Sequence, residues 1–235
     1  EVFNPATNEF IPDAPIPADE DSQPGGRAFH TGVVVNATTV VVAGGVNGTG
    51  AVSPYVLTFQ MDKSGKVTPM RRQTALNTAV LHGTGGLLGG RVVIAGGTAG
   101  YTVGSGRWNT GDQVQAIAQS FDWTQNGGEV GQIALEKKRM GICGAALDAD
   151  RILLVGGISA DQPEAYAEVL TWADEQVKVS RIGLGGTVGD SRMATPRSWA
   201  TCTSLGDGRV LVAGGVGPSG TGVLSSAEIF LDPRI

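Results

Sequence analysis

Four stretches decide the reading: Val40-Val41-Val42-Ala43-Gly44-Gly45, Val92-Val93-Ile94-Ala95-Gly96-Gly97, Ile152-Leu153-Leu154-Val155-Gly156-Gly157 and Val210-Leu211-Val212-Ala213-Gly214-Gly215. Each is an unbroken apolar run stopped by two glycines. A strand with one wet face alternates apolar and polar residues, so an unbroken run describes a strand covered on both faces. The first glycines follow one another at 52, 60 and 58 residues, a period near 50. Upstream, an arginine stands 17 residues before Gly44, Gly156 and Gly214, at Arg27, Arg139 and Arg197. The second repeat offers Arg72 at 24 residues, which assigns Gly83-Thr84-Gly85-Gly86-Leu87-Leu88-Gly89-Gly90 as an insertion. Downstream come a variable loop, an apolar or aromatic segment (55–59, 118–123, 167–172 and 227–230) and a fourth short segment such as Val177-Lys178-Val179. Four short strands per period, no helical periodicity and turn signals such as Asp207-Gly208 make a repeated four-stranded meander, which is what a propeller blade contains.

Composition narrows the class further. A chain of 235 residues can bury roughly 70% of its unfolded surface, so it needs neither metal nor disulfide to fold. Glycine, at 37 residues, is about twice its usual share. The net charge of −5 comes with no basic stripe, which disfavours a nucleic-acid partner. No apolar run approaches the ~18–20 residues that span a bilayer. Glu1-Val2-Phe3-Asn4-Pro5 lacks the basic and apolar regions of a signal peptide.

The modules also resemble a known family. The fullest copy runs from Met193-Ala194-Thr195-Pro196-Arg197 through Gly214-Gly215 to Ala227-Glu228-Ile229-Phe230-Leu231-Asp232-Pro233, and Glu1 to Phe10 matches the late part of another. On these residues the chain resembles the kelch-repeat family, over essentially its whole length. The resemblance implies an all-β fold: a kelch-type β-propeller segment of about four blades, each of four antiparallel strands, plus a partial N-terminal blade. The expected boundaries, within a single propeller domain 1–235, are 1–17 for the partial blade and 27–70, 71–136, 138–183 and 193–235 for the others. The family's tryptophan after the third strand is replaced by Val67, Val130 and Val179. Kelch propellers have five to eight blades, so the resemblance makes this an incomplete segment. Its open edges would need missing blades from the same protein or another chain.

In a blade the start of the first strand and the end of the second share one rim with the loops that follow. Arg27, Arg72, Arg139 and Arg197 are therefore expected on that rim, beside a long loop, Thr98 to Gln113, that carries Tyr101, Arg107 and Trp108. These seven residues form the candidate binding rim, and kelch adaptors, by resemblance, hold acidic peptides there. The weightier alternative is that each arginine caps its own blade by bonding loop carbonyls, and that the loop aromatics pack on a neighbouring blade. Cys143 and Cys202 sit on the first strands of consecutive blades with opposite parity. Two buried thiols are the expectation there, and a disulfide is the alternative that this parity leaves open.

Catalytic signals are sparse. His30 and His82 would differ in height by on the order of 20 Å if counted from Arg27 and Arg72, too far to share a metal ion. Gly215-Val216-Gly217-Pro218-Ser219-Gly220 matches a dinucleotide fingerprint, but Pro218 denies it the helix that would hold the pyrophosphate. No G-x-S-x-G and no Cys/His nucleophile pattern occurs. Asp19-Glu20-Asp21 reads as a solvated linker. The expectation is thus a non-catalytic recognition scaffold for a protein or glycan, with no catalytic residues, no metal and no cofactor. The alternative, by resemblance, is a carbohydrate-active enzyme of the galactose-oxidase-like kind. Five lysines against twelve arginines favour an extracytoplasmic setting.

Overall fold

The computed structural model describes residues 2–11, 26–70, 76–104, 107–109, 113–125, 129–181, 192–218 and 222–232. An N-terminal hairpin joins β1 (Val2–Asn4) to β2 (Glu9–Ile11). The first repeat holds β3 (Arg27–Ala28), β4 (Thr31–Asn36), β5 (Thr39–Ala43), β6 (Val46–Asn47), β7 (Val56–Met61) and β8 (Val67–Met70). The second holds β9 (Thr84–Leu88), β10 (Arg91–Ala95), β11 (Thr102–Gly104), β12 (Arg107–Asn109), β13 (Ile117–Phe121) and β14 (Val130–Ala134). The third holds β15 (Cys143–Asp148), β16 (Arg151–Val155), β17 (Ile158–Ser159), β18 (Gln162–Pro163), β19 (Ala167–Ala173) and β20 (Gln176–Arg181). The fourth holds β21 (Thr201–Ser204), β22 (Arg209–Ala213) and β23 (Ala227–Leu231). Each repeat makes one antiparallel meander: β4-β5-β7-β8, β9-β10-β13-β14, β15-β16-β19-β20 and β21-β22-β23. The described residues include no α-helix, and no helix long and apolar enough to cross a membrane.

Side-chain parity explains the unbroken apolar runs. On β10, Val92 and Ile94 face the first sheet, where they meet Val33, Val41 and Val56. Val93 and Ala95 face the third sheet, meeting Ile142, Ile152 and Leu154. On β16 the remaining pair, Leu153 and Val155, meets Val210 and Val212 of the fourth sheet. Three cores therefore lie between four sheets, and each middle sheet is apolar on both faces.

The sheets touch most closely at their first strands, β4 against β9, β9 against β15 and β15 against β21, and only sparsely at their fourth. Small residues permit that convergence. A Cβ on Gly86 would lie 2.8 Å from Ile152 Cδ1, and one on Gly144 2.9 Å from Thr84 Oγ1. Gly83 to Gly90 is therefore no insertion: it contains β9 itself and the Gly89-Gly90 turn. Two cysteines occupy the same tight layer, with Cα atoms 5.4 Å apart, and Cys143 and Cys202 form a disulfide between the third and fourth sheets. The alternative left open by their parity is thus the one realised, not the pair of free thiols.

Each di-glycine follows the end of a second strand, and the first three join one repeat to the next. Gly45, Gly97 and Gly157 donate N–H bonds to the carbonyls of Val80, Arg139 and Arg197, at 2.8, 2.9 and 3.0 Å. The glycine before each has a φ of +63 to +68°. A Cβ would put Gly44 2.2 Å from Val80 O, Gly96 2.6 Å from Arg139 O and Gly156 2.3 Å from Arg197 O. Gly214 shares that conformation but would meet nothing nearer than Leu224 O at 3.8 Å.

Candidate functional site

These bonds correct the alignment of the second repeat. The residue equivalent to Arg139 and Arg197 is Val80, which is buried; Arg72 lies outside the described residues. Val80 stands 16 residues before Gly96 rather than 17. The missing residue lies in the first hairpin. There β4–β5 and β15–β16 each contain a register shift next to the turn, and β21–β22 closes on a three-residue tip at 206–208. By contrast, β9–β10 pairs without a shift around only Gly89 and Gly90.

The constant spacing of 17 has a direct physical cause. In all three arginine-bearing repeats, Nη1 donates to the carbonyl of the first glycine: Arg27 to Gly44 at 3.2 Å, Arg139 to Gly156 at 2.7 Å and Arg197 to Gly214 at 2.9 Å. The same nitrogen reaches the residue entering the third strand, at Tyr55, Tyr166 and Ser226. Two arginines also hold a carboxylate on that strand, Arg139 with Glu168 and Arg197 with Glu228. The side chains of Arg139 and Arg197 have 0% exposure. Their Nη groups are engaged within their own repeat and the whole side chains are buried, so neither presents a guanidinium to an acidic ligand. The capping alternative describes them, and Arg27 in part.

Glu168 and Glu228 have a second duty. Their carboxylates accept N–H bonds from the segment leading to the arginine: Glu136 to Glu168 at 3.1 Å, and Ala194 and Thr195 to Glu228 at 2.7 and 3.1 Å. At the equivalent place in the second repeat stands Gln119. Its amide takes the Thr78 N–H at 2.9 Å and donates to the Thr78 carbonyl at 2.8 Å. Val80 and Gln119 are thus a neutral replacement for the Arg–Glu pair. No charge is left buried alone, which would be costly.

The long loop carries the hairpin β11–β12, on which Arg107 and Trp108 lie with side chains outside the described set. Tyr101 is half-buried, and its hydroxyl lies 3.7 Å from where a Cβ on Gly50 of the first repeat would stand. It therefore leans on the neighbouring repeat.

A different set of residues converges just ahead of the first strands. Two residues past each arginine position stand Phe29, His82, Gly141 and Trp199, all in the left-handed region with φ of 58, 58, 61 and 57°. Backbone bonds link them in series across the repeats: His82 N–H to Phe29 O at 3.1 Å, Gly141 N–H to His82 O at 2.9 Å and Trp199 N–H to Gly141 O at 2.9 Å. The Phe29 and His82 rings stand 4.3 Å apart, and the Trp199 indole meets His82 edge-on at 4.5 Å. Together with His30, Gly83, Ile142 and Ala200 they line an open cavity of about 240 Å³. Burial pushes His82 down to about 4, and burial followed by the nearby Arg27 charge holds His30 below its ordinary value. Both imidazoles line one cavity, so the expected height difference between them was wrong; it was measured from Arg72 rather than Val80. Among the described residues no group of three or more His, Cys, Asp or Glu could hold a metal ion. The cluster was readable in principle as a large or glycine residue at position +2 from each arginine, but only once Val80 takes the place of Arg72.

No family model matches the chain, and no curated protein matches it. Solved structures do, 175 chains in all. One is the structure of YjhT, 10% identical, with a TM-score of 0.55 over 89% of this chain and 82% of that one. At that identity the likeness is one of fold.

Proposed function

We propose that the chain is a stretch of a kelch-type β-propeller that acts as a non-catalytic recognition scaffold, binding a glycan or protein at the rim around the first strands. The propeller reading is supported by four meanders that converge at their first strands and are stitched by equivalent bonds. Support for further blades comes from two apolar faces. Val34 and Val40 lie exposed on the first sheet, Ile229 and Leu231 on the fourth, and Gly214 lacks the close carbonyl that meets Gly44, Gly96 and Gly156. Another repeat of the same kind fits both. The disulfide supports an oxidising, extracytoplasmic setting.

The observation that carries the function is the Phe29–His82–Trp199 cluster. Aromatic side chains held on a rigid scaffold at a shared cavity are typical of binding surfaces. The arginines do not line that cavity, so binding there should depend little on salt. The test is a screen of immobilised glycans and peptides, followed by hydrogen exchange of the complex. Protection of the amides of Gly83, Ile142 and Ala200 supports the rim. Protection confined to the opposite hairpin turns, Asn36–Thr39 and Leu88–Arg91, would overturn it.

A further inference from the structure

Three of the four equivalent left-handed positions carry a large ring, at Phe29, His82 and Trp199. For an L-residue with a bulky side chain this conformation costs roughly 1–2 kcal/mol, because Cβ crowds the following carbonyl. Glycine is what the backbone alone would favour, and Gly141 supplies it once. Burial does not account for the other rings, since Phe29 remains 43% and Trp199 38% exposed. Gly141 in turn makes room for one of them. A Cβ there would come within 2.9 Å of the Trp199 indole, so its absence lets the indole reach across to His82.

We propose that this cavity is a stacking site for one neutral pyranose ring, whose C–H face lies on Phe29 and Trp199 and whose hydroxyls bond His30. The inference rests on the recognition reading of this rim. Polarised C–H groups are attracted to the electron-rich face of an aromatic ring. A neutral imidazole offers one donor and one acceptor, which complements a hydroxyl that is both. Both histidines are held below their ordinary pKa values, so they are neutral near pH 7. A charged ligand is poorly served, because the cavity lining includes no carboxylate and no guanidinium.

Calorimetric titration of the chain with methyl pyranosides of glucose, galactose, mannose and N-acetylglucosamine, beside glucuronate and tetramethylammonium, tests the assignment. At least one neutral pyranoside should bind in preference to both ions. Trp199→Gly, which copies Gly141 at the equivalent position, should weaken that binding about tenfold or more without lowering the melting temperature. Trp199→Phe, which copies Phe29, should largely restore it. No neutral pyranoside bound at millimolar concentration, or preference for either ion, would overturn the sugar while leaving a rim that binds something else. Pyranoside binding undiminished in Trp199→Gly would overturn the rim itself.

Discussion

The Arg139 guanidinium and the Glu168 carboxylate have no exposed surface, so each depends on the other for the solvation it has lost. Arg139→Met should therefore destabilise the chain by about 3–5 kcal/mol, the cost of a buried charge left unpaired. Adding Glu168→Gln, the side chain that Gln119 provides in the second repeat, should recover part of it; urea unfolding of both variants measures this. Gly156 and Gly214 form a cleaner pair, because both have φ +66° but only Gly156 is pressed by an arginine carbonyl. Gly214→Ala should cost about 1–2 kcal/mol of backbone strain, and Gly156→Ala distinctly more. Equal losses would show that the close approach to Arg197 does not matter.

Proton linkage also belongs to single residues. His82 is held at about 4 in the fold against 6.5 when unfolded, so the unfolded chain binds its proton first. This contribution to stability is complete above pH 6.5 and is lost as pH falls toward 4; His30 acts in the same direction. Asp62 and Asp122, lowered first by the hydroxyls of Ser64 and Thr124, lose theirs only below their ordinary range. Urea midpoints should thus decline between pH 6.5 and 4.5, and His82→Gln should flatten that decline. An unchanged slope in the variant would remove His82 as its source.

Among the elements, second strands were the most readable, because burial on both faces leaves an unbroken apolar run that the di-glycine ends. First strands were the least readable. β9, Thr-Gly-Gly-Leu-Leu, looks like a loop by composition, yet its glycines are what let neighbouring sheets approach Thr31 and Ile152. The arginine spacing was readable wherever the side chain makes its bond, and it misled where Val80 keeps the carbonyl contact but not the guanidinium. The rim cluster stayed hidden for the same reason, since its members share a backbone conformation rather than a residue type. The disulfide joins first strands across a sequence separation of 59 residues. Loop-closure entropy assigns it about 4 kcal/mol. Reduction should lower the unfolding free energy by up to that amount, whereas an unchanged denaturation midpoint would mean that β15 and β21 are held by packing alone.

At the scale of the molecule, four sheets and three cores leave two apolar faces, and the series of backbone bonds from Phe29 to Trp199 runs from the first repeat to the fourth. On the proposed propeller reading, native mass spectrometry of the particle from its source should give a mass above that of this chain, with the added residues completing a ring. A ring closed by these residues alone would contradict that. The proposed division of labour, with arginines that build and aromatics that bind, is testable on two residues set just two positions apart. Thermal melting of Arg197→Met and Trp199→Gly, each with and without the preferred pyranoside, separates the two roles most directly. Arg197→Met should melt several degrees lower, and Trp199→Gly should melt like the parent chain but lose the ligand-induced rise. An Arg197→Met chain that melts like the parent and loses the ligand response, beside a Trp199→Gly chain that keeps it, would return the arginines to the binding surface.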